Sequence, residues 1–124
     1  MIIGIGCDVV DHNITKLIGW ETDSELLERF LSQSELEQFQ INKTIKFLAS
    51  RYAVKEAVLK SLGTGMQDGI SLKDIEVLQS EEGKPGIKLN GEVKRISDEL
   101  GIKSWYVTIT HTKSYSLAFV IAEM

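Results

Sequence analysis

Hydrophobic and polar residues alternate in the first segment of the chain, residues 2–10, and this period of two predicts a β-strand. Alternation separates an apolar face, expected to enter a core, from a face of two glycines and a carboxylate: Ile3, Ile5, Cys7 and Val9 against Gly4, Gly6 and Asp8. Glycines in a strand often mark a close approach to the backbone, so a phosphate held through a metal ion would fit beside Asp8. A surface aspartate near a strand end explains the same pattern equally well.

Three helix-start signals follow this strand. Two have the form of a capping box: Thr22-Asp23-Ser24-Glu25 before Leu26, and Ser32-Gln33-Ser34-Glu35 before Leu36. The third is Thr44, which we expect to cap a long helix that runs to about Leu62 and stops at Gly63. The middle of the chain is therefore predicted to be helical.

Strand and turn signals dominate the rest of the chain. We expect a loop from Gly63 to Gly69, strands at 75–79 and 87–89 around a turn at 82–86, a helix from Glu92 to Leu100, and a hairpin of 104–112 with 115–122. Strands joined by hairpins beside a long helix predict an α+β, or mixed α/β, domain with a mainly antiparallel sheet.

Composition narrows the class of protein. With 124 residues, 43% of them hydrophobic and 26% charged, the chain can form one globular domain with a real core. A net charge of −4 argues against general nucleic-acid binding. The one cysteine, Cys7, excludes an intramolecular disulfide, and we expect a buried free thiol. Neither a membrane span nor a signal peptide is visible, so we expect a cytoplasmic protein.

The predicted long helix carries a second carboxylate, Glu56, at i,i+4 spacing from Lys60. Small residues recur every four positions along this helix and would let another element pack closely: Ala49, Ala53 and Ala57. An ordinary ion pair on a solvated helix face is one explanation of Glu56. The other is that Glu56 and Asp8 converge on one Mg²⁺, which prefers a few carboxylate oxygens completed by phosphates and water.

Four segments carry motifs in a shared order over almost the whole chain. They are Gly4-Ile5-Gly6-Cys7-Asp8-Val9-Val10; the run from Phe47 to Gly65, with Ala53-Val54-Lys55-Glu56-Ala57, Lys60 and Gly63-Thr64-Gly65; Asp74-Ile75-Glu76-Val77-Leu78 with Gly83-Lys84-Pro85; and Thr108-Ile109-Thr110-His111-Thr112, followed by Tyr115 and Ala118. Together they resemble the bacterial holo-acyl-carrier-protein synthases, which are small 4′-phosphopantetheinyl transferases.

This resemblance implies a single 4′-phosphopantetheinyl transferase domain over residues 1–124, with a mainly antiparallel sheet wrapped around a long central helix. It implies transfer of 4′-phosphopantetheine from coenzyme A to a serine of apo-acyl carrier protein, with release of adenosine 3′,5′-bisphosphate, in support of fatty-acid biosynthesis. It further implies Mg²⁺ as cofactor and a homotrimer with active sites between protomers. The alternative is a non-catalytic coenzyme A-binding or structural homologue, against which the joint presence of Asp8, Glu56 and Lys60 argues.

The same resemblance implies roles for individual residues. Asp8 and Glu56 would bind Mg²⁺ and, with Lys60, form the catalytic group. The residues expected at the coenzyme are Arg51, Lys60, Gly63, Thr64, Gly65, Lys84, Pro85, His111 and Thr112. Strand alternation alone favours a half-buried histidine at His111, whereas the resemblance favours contact with the coenzyme 3′-phosphate.

Two of these predicted coenzyme contacts also have plainer explanations. Residues 63–65 follow a helix C-terminus, whose dipole disfavours anions, so we expect a turn that lines the coenzyme site rather than a P-loop. Lys84 and Pro85 fit a simple hairpin turn as well as a nucleotide contact.

One segment departs from the family pattern. An Arg commonly stands six residues after the metal-binding aspartate, where this chain has Ile14, and Asp11 replaces the more usual Glu. This segment therefore lacks the basic side chain that the family commonly offers to the acidic carrier protein at this position. The basic residues that remain as candidates for a salt-sensitive carrier contact are Lys16, Lys43, Lys46 and Arg51. Lysines that only solvate the surface are the alternative.

Overall fold

The computed structural model describes residues 1–65 and 69–124, which form an α+β arrangement. In chain order the elements are β1 (Ile2–Asp11), α1 (His12–Leu17), α2 (Ser24–Phe30), α3 (Gln33–Ile41), α4 (Ile45–Leu62), β2 (Ile75–Gln79), β3 (Pro85–Leu89), α5 (Gly91–Glu99), β4 (Ser104–His111) and β5 (Tyr115–Glu123). Short 3₁₀ turns occupy Trp20–Thr22 and Leu72–Asp74. The loop expected from Gly63 to Gly69 includes positions 66–68, which lie outside the described residues.

Both sheets are antiparallel. The larger has the strand order β1-β5-β4, so that Asp8 lies opposite Ala118 and Ala118 lies opposite Ile109. The smaller is the β2–β3 hairpin, which places Ile75 opposite Leu89. The long helix α4 packs across the inner face of the larger sheet. The predicted α+β class, with a mainly antiparallel sheet and a long central helix, is confirmed.

Side-chain caps begin α3 and α4 where the sequence predicts them. The Thr44 hydroxyl accepts a hydrogen bond from the Phe47 amide at 3.1 Å, and Gly63 ends α4 in the left-handed region with φ 75°. At α3 the capping box is complete, because the Glu35 amide donates to Ser32 Oγ at 3.2 Å and the Ser32 amide donates to Glu35 Oε1 at 2.9 Å.

Two details near the helices differ from the prediction. At α2 the cap is Asp23 rather than Thr22, since Asp23 Oδ1 accepts from the Leu26 amide at 3.1 Å. The sequence reasoning also missed α1, whose cap is Asp11, with its side chain accepting from the Asn13 amide at 2.8 Å. A helix of 6 residues is too short to show a hydrophobic period.

The face of β1 that turns toward the core is the opposite of the expected one. Ile5 and Val9 are more than half exposed, and Cys7 is exposed as well. The expectations that this apolar set enters the core and that Cys7 is a buried thiol are therefore wrong. Ile3, at an irregularity in the pairing between Ile2 and Gly4, is the one member of the set that packs against the core.

The glycines of β1 face α4 instead. A Cβ added to Gly6 would lie 1.9 Å from the carbonyl oxygen of Ala57, and one added to Gly4 would lie 1.9 Å from that of Ser61. Only a side chain of one hydrogen lets the strand backbone lie directly on the helix backbone. The glycines thus provide clearance for α4, and not, as expected, for a bound phosphate.

We expect Gly6→Ala to destabilise the fold by about 1–3 kcal/mol, because the added methyl group meets helix backbone that cannot rotate away. Urea unfolding at one protein concentration measures this. The matched control is Gly86→Ala in β3, where an added Cβ meets nothing within 4 Å. If both variants unfold at the wild-type urea concentration, β1 and α4 are not in backbone contact.

Two apolar clusters form the core on either side of α4. The first joins α4 to the larger sheet, the β2–β3 hairpin and α5, and contains Val54, Ala57, Val58, Ile75, Val77, Val93, Ala118, Val120 and Ala122. The second joins α4 to α2 and α3, and contains Leu27, Phe30, Leu31, Phe39, Phe47 and Leu48. Among the described residues, no helix is both long and apolar enough to cross a membrane.

A buried ion pair links α4 to α3 and β2. Lys55 Nζ donates to Glu35 Oε1 at 2.6 Å, and neither side chain is accessible to solvent. Lys55 also donates to the carbonyl oxygens of Phe30 and Leu72, while the second Glu35 oxygen accepts from the Val77 amide at 3.0 Å. Burial lowers the pKa of Lys55, and the Glu35 carboxylate opposes that shift. The pair holds α4 in a defined position relative to the rest of the fold.

Candidate active site

The contact between β1 and α4 brings Asp8 to Lys60. Lys60 Nζ donates to Asp8 Oδ1 at 2.9 Å and to the carbonyl oxygen of Cys7 at 3.0 Å. The hydrogen bond to Asp8, with the charges of Asp8 and Glu56, raises the pKa of Lys60. Lys60 therefore remains a cation at the edge of the seam between strand and helix.

Glu56 lies one turn before Lys60 on α4, and Tyr52 lies one turn before Glu56. Burial, then the charge of Glu56 and a hydrogen bond to its carboxylate, raise the pKa of Tyr52 to about 12. The phenol thus stays protonated beside the Glu56 carboxylate. The Tyr52 ring is held by Trp20 at 4.8 Å and by Phe30 at 6.0 Å between ring centroids. These ring contacts hold the phenol in the neighbourhood of Glu56.

The two carboxylates lie in the neighbourhood of the same two side chains. The charges of Asp8 and Glu56 both act on Tyr52 and on Lys60, although one acid belongs to a strand and the other to a helix. The close backbone approach at Gly4 and Gly6 is what brings the strand acid to the helix.

This pair of acids suits a hard divalent cation. In the described part of the chain, no group of three or more His, Cys, Asp or Glu side chains is arranged to hold a metal. A site with only two carboxylates would leave the other positions of an octahedron to substrate oxygens and water. This combination of ligands is common for Mg²⁺. Asp8 and Glu56 therefore fit Mg²⁺ shared with a phosphate-bearing substrate, and do not fit a dedicated structural metal site.

A cleft of about 540 Å³ opens beside the first turns of α4. Its lining is mostly polar: Gln38, Asn42, Thr44, Lys46, Phe47, Ser50, Arg51, Gln79 and His111. A smaller cleft of about 190 Å³ adjoins it and shares Ser50, Arg51, Gln79 and His111. The rest of the smaller cleft comes from β2, β3, the turn between them and β4: Val77, Leu78, Gly83, Pro85, Thr108 and Ile109.

Arg51 forms part of the wall between the two clefts. Only 8% of the residue is exposed, its guanidinium lies 4.1 Å above the Phe47 ring, and Nη1 donates to Ser50 Oγ at 3.3 Å. Within the described residues its buried Nε has no hydrogen-bond partner. Burial lowers the pKa of Arg51, with the charge of Glu35 acting in the opposite direction. A buried guanidinium with an unused donor is suited to an anion in the adjoining clefts.

His111 lines both clefts at the end of β4. Its Nδ1 lies 2.9 Å from Ser116 Oγ. Partial burial lowers the pKa of His111, and the charges of Lys46, His12 and Arg51 lower it further. The end of the cleft is thus locally cationic in a chain of net charge −4. A positive site of this kind favours a phosphate.

Among the other residues predicted at the coenzyme, some line the clefts and others do not. Pro85 lines the smaller cleft, whereas Lys84 is not among the described residues that line either cleft. Thr112 Oγ1 accepts from the amides of Ser114 and Tyr115, so it caps the final turn. Gly63, Thr64 and Gly65 follow α4 as expected, with both glycines in the left-handed region. Coenzyme contact by these residues stays a prediction.

The lysines predicted at a carrier protein are all exposed. Lys16 lies on α1, Lys43 precedes α4, and Lys46 lies in the first turn of α4, where it also lines the larger cleft. Arg51, predicted for both the coenzyme and the carrier, is buried in the cleft wall instead of contributing to this surface.

Sequence reasoning missed several residues of the site. Tyr52 could have been found from its i,i+4 spacing to Glu56 on a predicted helix. Ser116 and His12 have no such signal, because the contacts of Ser116 with His111 and with His12 depend on how β4, β5 and α1 meet. The cleft residues of α3 and β2, among them Gln38 and Gln79, likewise come from distant parts of the chain.

Known proteins resemble this chain over its whole length. The sequence pattern that describes the 4′-phosphopantetheinyl transferase superfamily matches residues 4–120. The holo-[acyl-carrier-protein] synthase of Hydrogenovibrio crunogenus is 40% identical over 124 residues, which cover 99% of this chain and 98% of that protein.

Solved structures show the same likeness. The crystal structure of holo-[acyl-carrier-protein] synthase from Neisseria meningitidis matches with a TM-score of 0.91 at 30% identity and covers 100% of both chains. That of the Helicobacter pylori holo-[acyl-carrier-protein] synthase in complex with coenzyme A matches with a TM-score of 0.83 at 29% identity, over 96% of this chain and 99% of that one. With the sequence match, the shared fold and the paired carboxylates in agreement, this chain belongs to the 4′-phosphopantetheinyl transferase superfamily.

Proposed function

We propose that this chain transfers the 4′-phosphopantetheine group of coenzyme A to a serine hydroxyl of an apo-acyl carrier protein, and so supports fatty-acid biosynthesis. The observation that carries the proposal is the meeting of Asp8, Glu56 and Lys60 at the seam of β1 and α4, in a chain of this superfamily. The products are holo-acyl carrier protein and adenosine 3′,5′-bisphosphate. Its relatives are named for this activity, and one of them is described in complex with coenzyme A.

The reaction breaks a pyrophosphate. The serine oxygen bonds to the β-phosphorus of coenzyme A, the bond from that phosphorus to the bridging oxygen breaks, and adenosine 3′,5′-bisphosphate leaves with the electron pair. Lys60, a cation beside Asp8, neutralises phosphate oxygens. Glu56, which lies beside the protonated phenol of Tyr52, takes up the serine proton through a water molecule. Asp8 and Glu56 would hold Mg²⁺, which when bound polarises the β-phosphate and offsets charge on the leaving group.

The nucleotide end of coenzyme A belongs in the two adjoining clefts. Arg51 offers a buried guanidinium with an unused Nε, and His111 lines the same two clefts. We assign the 3′-phosphate to this pair. Pro85 on the wall of the smaller cleft provides an apolar surface for the adenosine.

We propose further that the protein is a homotrimer with active sites between protomers. The outer face of the larger sheet exposes adjacent apolar side chains: Ile5, Val9, Tyr106 and Phe119. Such a patch is typical of an association surface. Moreover, Arg51 and Glu56 lie five residues apart on α4, about 140° around the helix axis. One chain thus presents its clefts and its carboxylates on different faces, which a neighbouring copy can bring together.

We expect Phe119→Asp to dissociate the trimer, since it places a charge on the face that would be buried between protomers. Sedimentation equilibrium measures the mass. The matched control is Ile41→Asp, at an exposed apolar residue that ends α3, away from this sheet, and it should leave the mass unchanged. A wild-type mass for Phe119→Asp at micromolar concentration would contradict the trimer through this face.

Carrier recognition rests on the exposed lysines. Lys16, Lys43 and Lys46 attract an acidic carrier, whereas Ile14 is exposed and offers no charge at the position where the family commonly has Arg. Ionic attraction of this type weakens as salt screens it. We propose that the reaction takes place in the cytoplasm, where an exposed thiol such as Cys7 stays reduced.

One experiment tests the proposed function. The chain is incubated with coenzyme A, Mg²⁺ and an apo-acyl carrier protein, and the carrier is analysed by intact-mass spectrometry. We expect the mass gain of one phosphopantetheine, and none on a carrier whose acceptor serine is replaced by alanine. Binding of coenzyme A without any mass gain would instead support the alternative, a non-catalytic coenzyme A-binding homologue.

A further inference from the structure

A line of hydrogen bonds runs from a backbone carbonyl to the cleft through two histidines and a serine. His12 Nδ1 lies 3.2 Å from the carbonyl oxygen of Lys113, and His12 Nε2 lies 2.7 Å from Ser116 Oγ. Ser116 Oγ in turn lies 2.9 Å from His111 Nδ1. Ser116 is fully buried in β5, so its hydroxyl has these two rings as partners in the described part of the chain.

The carbonyl at one end sets the direction of the line. A carbonyl oxygen only accepts, so the proton of neutral His12 sits on Nδ1 and its Nε2 is an acceptor. Ser116 then donates its hydroxyl hydrogen to His12 Nε2 and accepts from His111. His111 must therefore carry its proton on Nδ1. None of the described residues hydrogen-bonds its other nitrogen, Nε2.

We propose that His12 and Ser116 are positioning residues, which fix the ring orientation and the Nδ1–H tautomer of His111 and so direct its Nε2 to the 3′-phosphate of coenzyme A. The proposal rests on the proposed function, because the phosphate is that of the proposed substrate. A histidine in this state binds a phosphate by taking up one proton, since Nε2 must carry hydrogen to donate. Nδ1–H remains bonded to Ser116 in both states, so the ring does not have to turn over.

The groups around His111 oppose this proton until phosphate is present. Partial burial is the main cause that lowers the pKa of His111. Lys46 and Arg51 on α4 and His12 on α1 lower this pKa further through their charges. A bound phosphate dianion acts in the opposite direction and raises the pKa. The preference for coenzyme A over dephospho-coenzyme A should therefore decline as pH rises through the pKa of His111 in the complex.

Ring nitrogen NMR of ¹⁵N-histidine-labelled protein tests the tautomer without any ligand or turnover. At a pH where both rings are neutral, we expect His111 as the Nδ1–H form in the wild type. In Ser116→Ala, which removes the hydroxyl and little volume, we expect a shift toward the Nε2–H form that a free histidine side chain prefers. An Nε2–H form of His111 in the wild type would overturn the proposal.

Kinetics supply the second readout. The ratio of kcat/KM for coenzyme A to that for dephospho-coenzyme A should fall about tenfold in Ser116→Ala and in His12→Leu. A fall of this size corresponds to the loss of one charge-assisted hydrogen bond. His12→Gln, whose amide oxygen can accept from Ser116 as Nε2 does, should recover most of the ratio. His12 is only half-buried, so substitutions there are expected to leave the fold intact. The His12 variants therefore test the proposal even if Ser116→Ala does not fold.

The outcomes separate this proposal from the proposed function. If the wild type modifies the carrier but all four proteins discriminate equally, the function stands and the positioning role is overturned. If the wild type transfers nothing, the function fails, while the NMR result still decides the state of His111. A ratio that falls equally in His12→Gln and His12→Leu would indicate loss of packing rather than of the hydrogen bond, and would also overturn it.

Discussion

Asp8→Asn and Glu56→Gln are each expected to lower the rate of phosphopantetheine transfer by about 10²-fold or more, with the fold intact. Each change keeps the size of the side chain and removes one of two negative charges that converge beside Lys60. A two-carboxylate site retains little affinity for Mg²⁺ with a single carboxylate, and fixed charges at a phosphoryl centre account for losses of this size.

Both variants should remain folded. Asn at position 8 still offers an oxygen to Lys60 Nζ, and the Lys60–Asp8 pair is too exposed on the lysine side to contribute much stability. Transfer is measured by the mass gain of the carrier and folding by the thermal midpoint.

The matched control for these two variants is Glu37→Gln on the exposed face of α3, which should transfer at the wild-type rate. Rates near wild type in either Asp8→Asn or Glu56→Gln would reject the assignment of the carboxylates. Excess Mg²⁺ adds a further comparison, because partial recovery of the rate would locate the defect in metal binding rather than in proton transfer.

Lys55→Met should destabilise the folded state by about 3–5 kcal/mol, the largest stability effect that we expect from a conservative change of volume. It leaves the Glu35 carboxylate buried without its cation, although the Ser32 and Val77 amides still donate to it. Three carbonyl and carboxylate oxygens lose their shared donor at once. Urea unfolding at one protein concentration gives the change in free energy.

A double-mutant cycle isolates the pair itself. Glu35→Gln keeps an oxygen for the Ser32 amide and removes the charge, so Glu35→Gln with Lys55→Met should be more stable than Lys55→Met alone. The matched control is Lys94→Met, whose partner Asp98 lies 3.2 Å away in an exposed pair on α5. Lys94→Met should lower the free energy of unfolding by no more than about 1 kcal/mol. If Lys55→Met and Lys94→Met lowered the free energy of unfolding by the same amount, burial of the Lys55–Glu35 pair would not increase its contribution to stability.

The ends of the helices could be predicted from local sequence because their causes are local. Thr44 and Ser32 bond amides three residues away, and Gly63 supplies a positive φ at its own position. The same holds for the hairpins, whose turns and alternation lie within a few residues. At α2 the local signal was ambiguous, since Thr22 and Asp23 both have capping side chains and only one of them caps.

The candidate site also contains residues that could be predicted from the sequence and residues that only the fold reveals. Asp8, Glu56 and Lys60 could be predicted from their motifs, and the family is confirmed by the sequence match. Tyr52, His12 and Ser116 were not predicted, since each acts through a neighbour that only the fold supplies. Lys55 shows the opposite case, a cation that sits within a motif and is buried as a structural partner of Glu35.

The sequence by itself determined where most of the strands and helices lie and which superfamily the chain belongs to, and it singled out Asp8 and Glu56, whose role in metal binding stays a prediction. Only the tertiary structure decided which face of β1 is inside. Alternation defines two faces of a strand but does not say which is covered, and an apolar face is normally the one buried. Here the backbone of α4 covers Gly4 and Gly6 directly, so Ile5 and Val9 face outward. Because the two glycines have no side chains, the backbone of β1 lies directly on the backbone of α4. This contact places Asp8 of the strand beside Lys60 and near Glu56 of the helix.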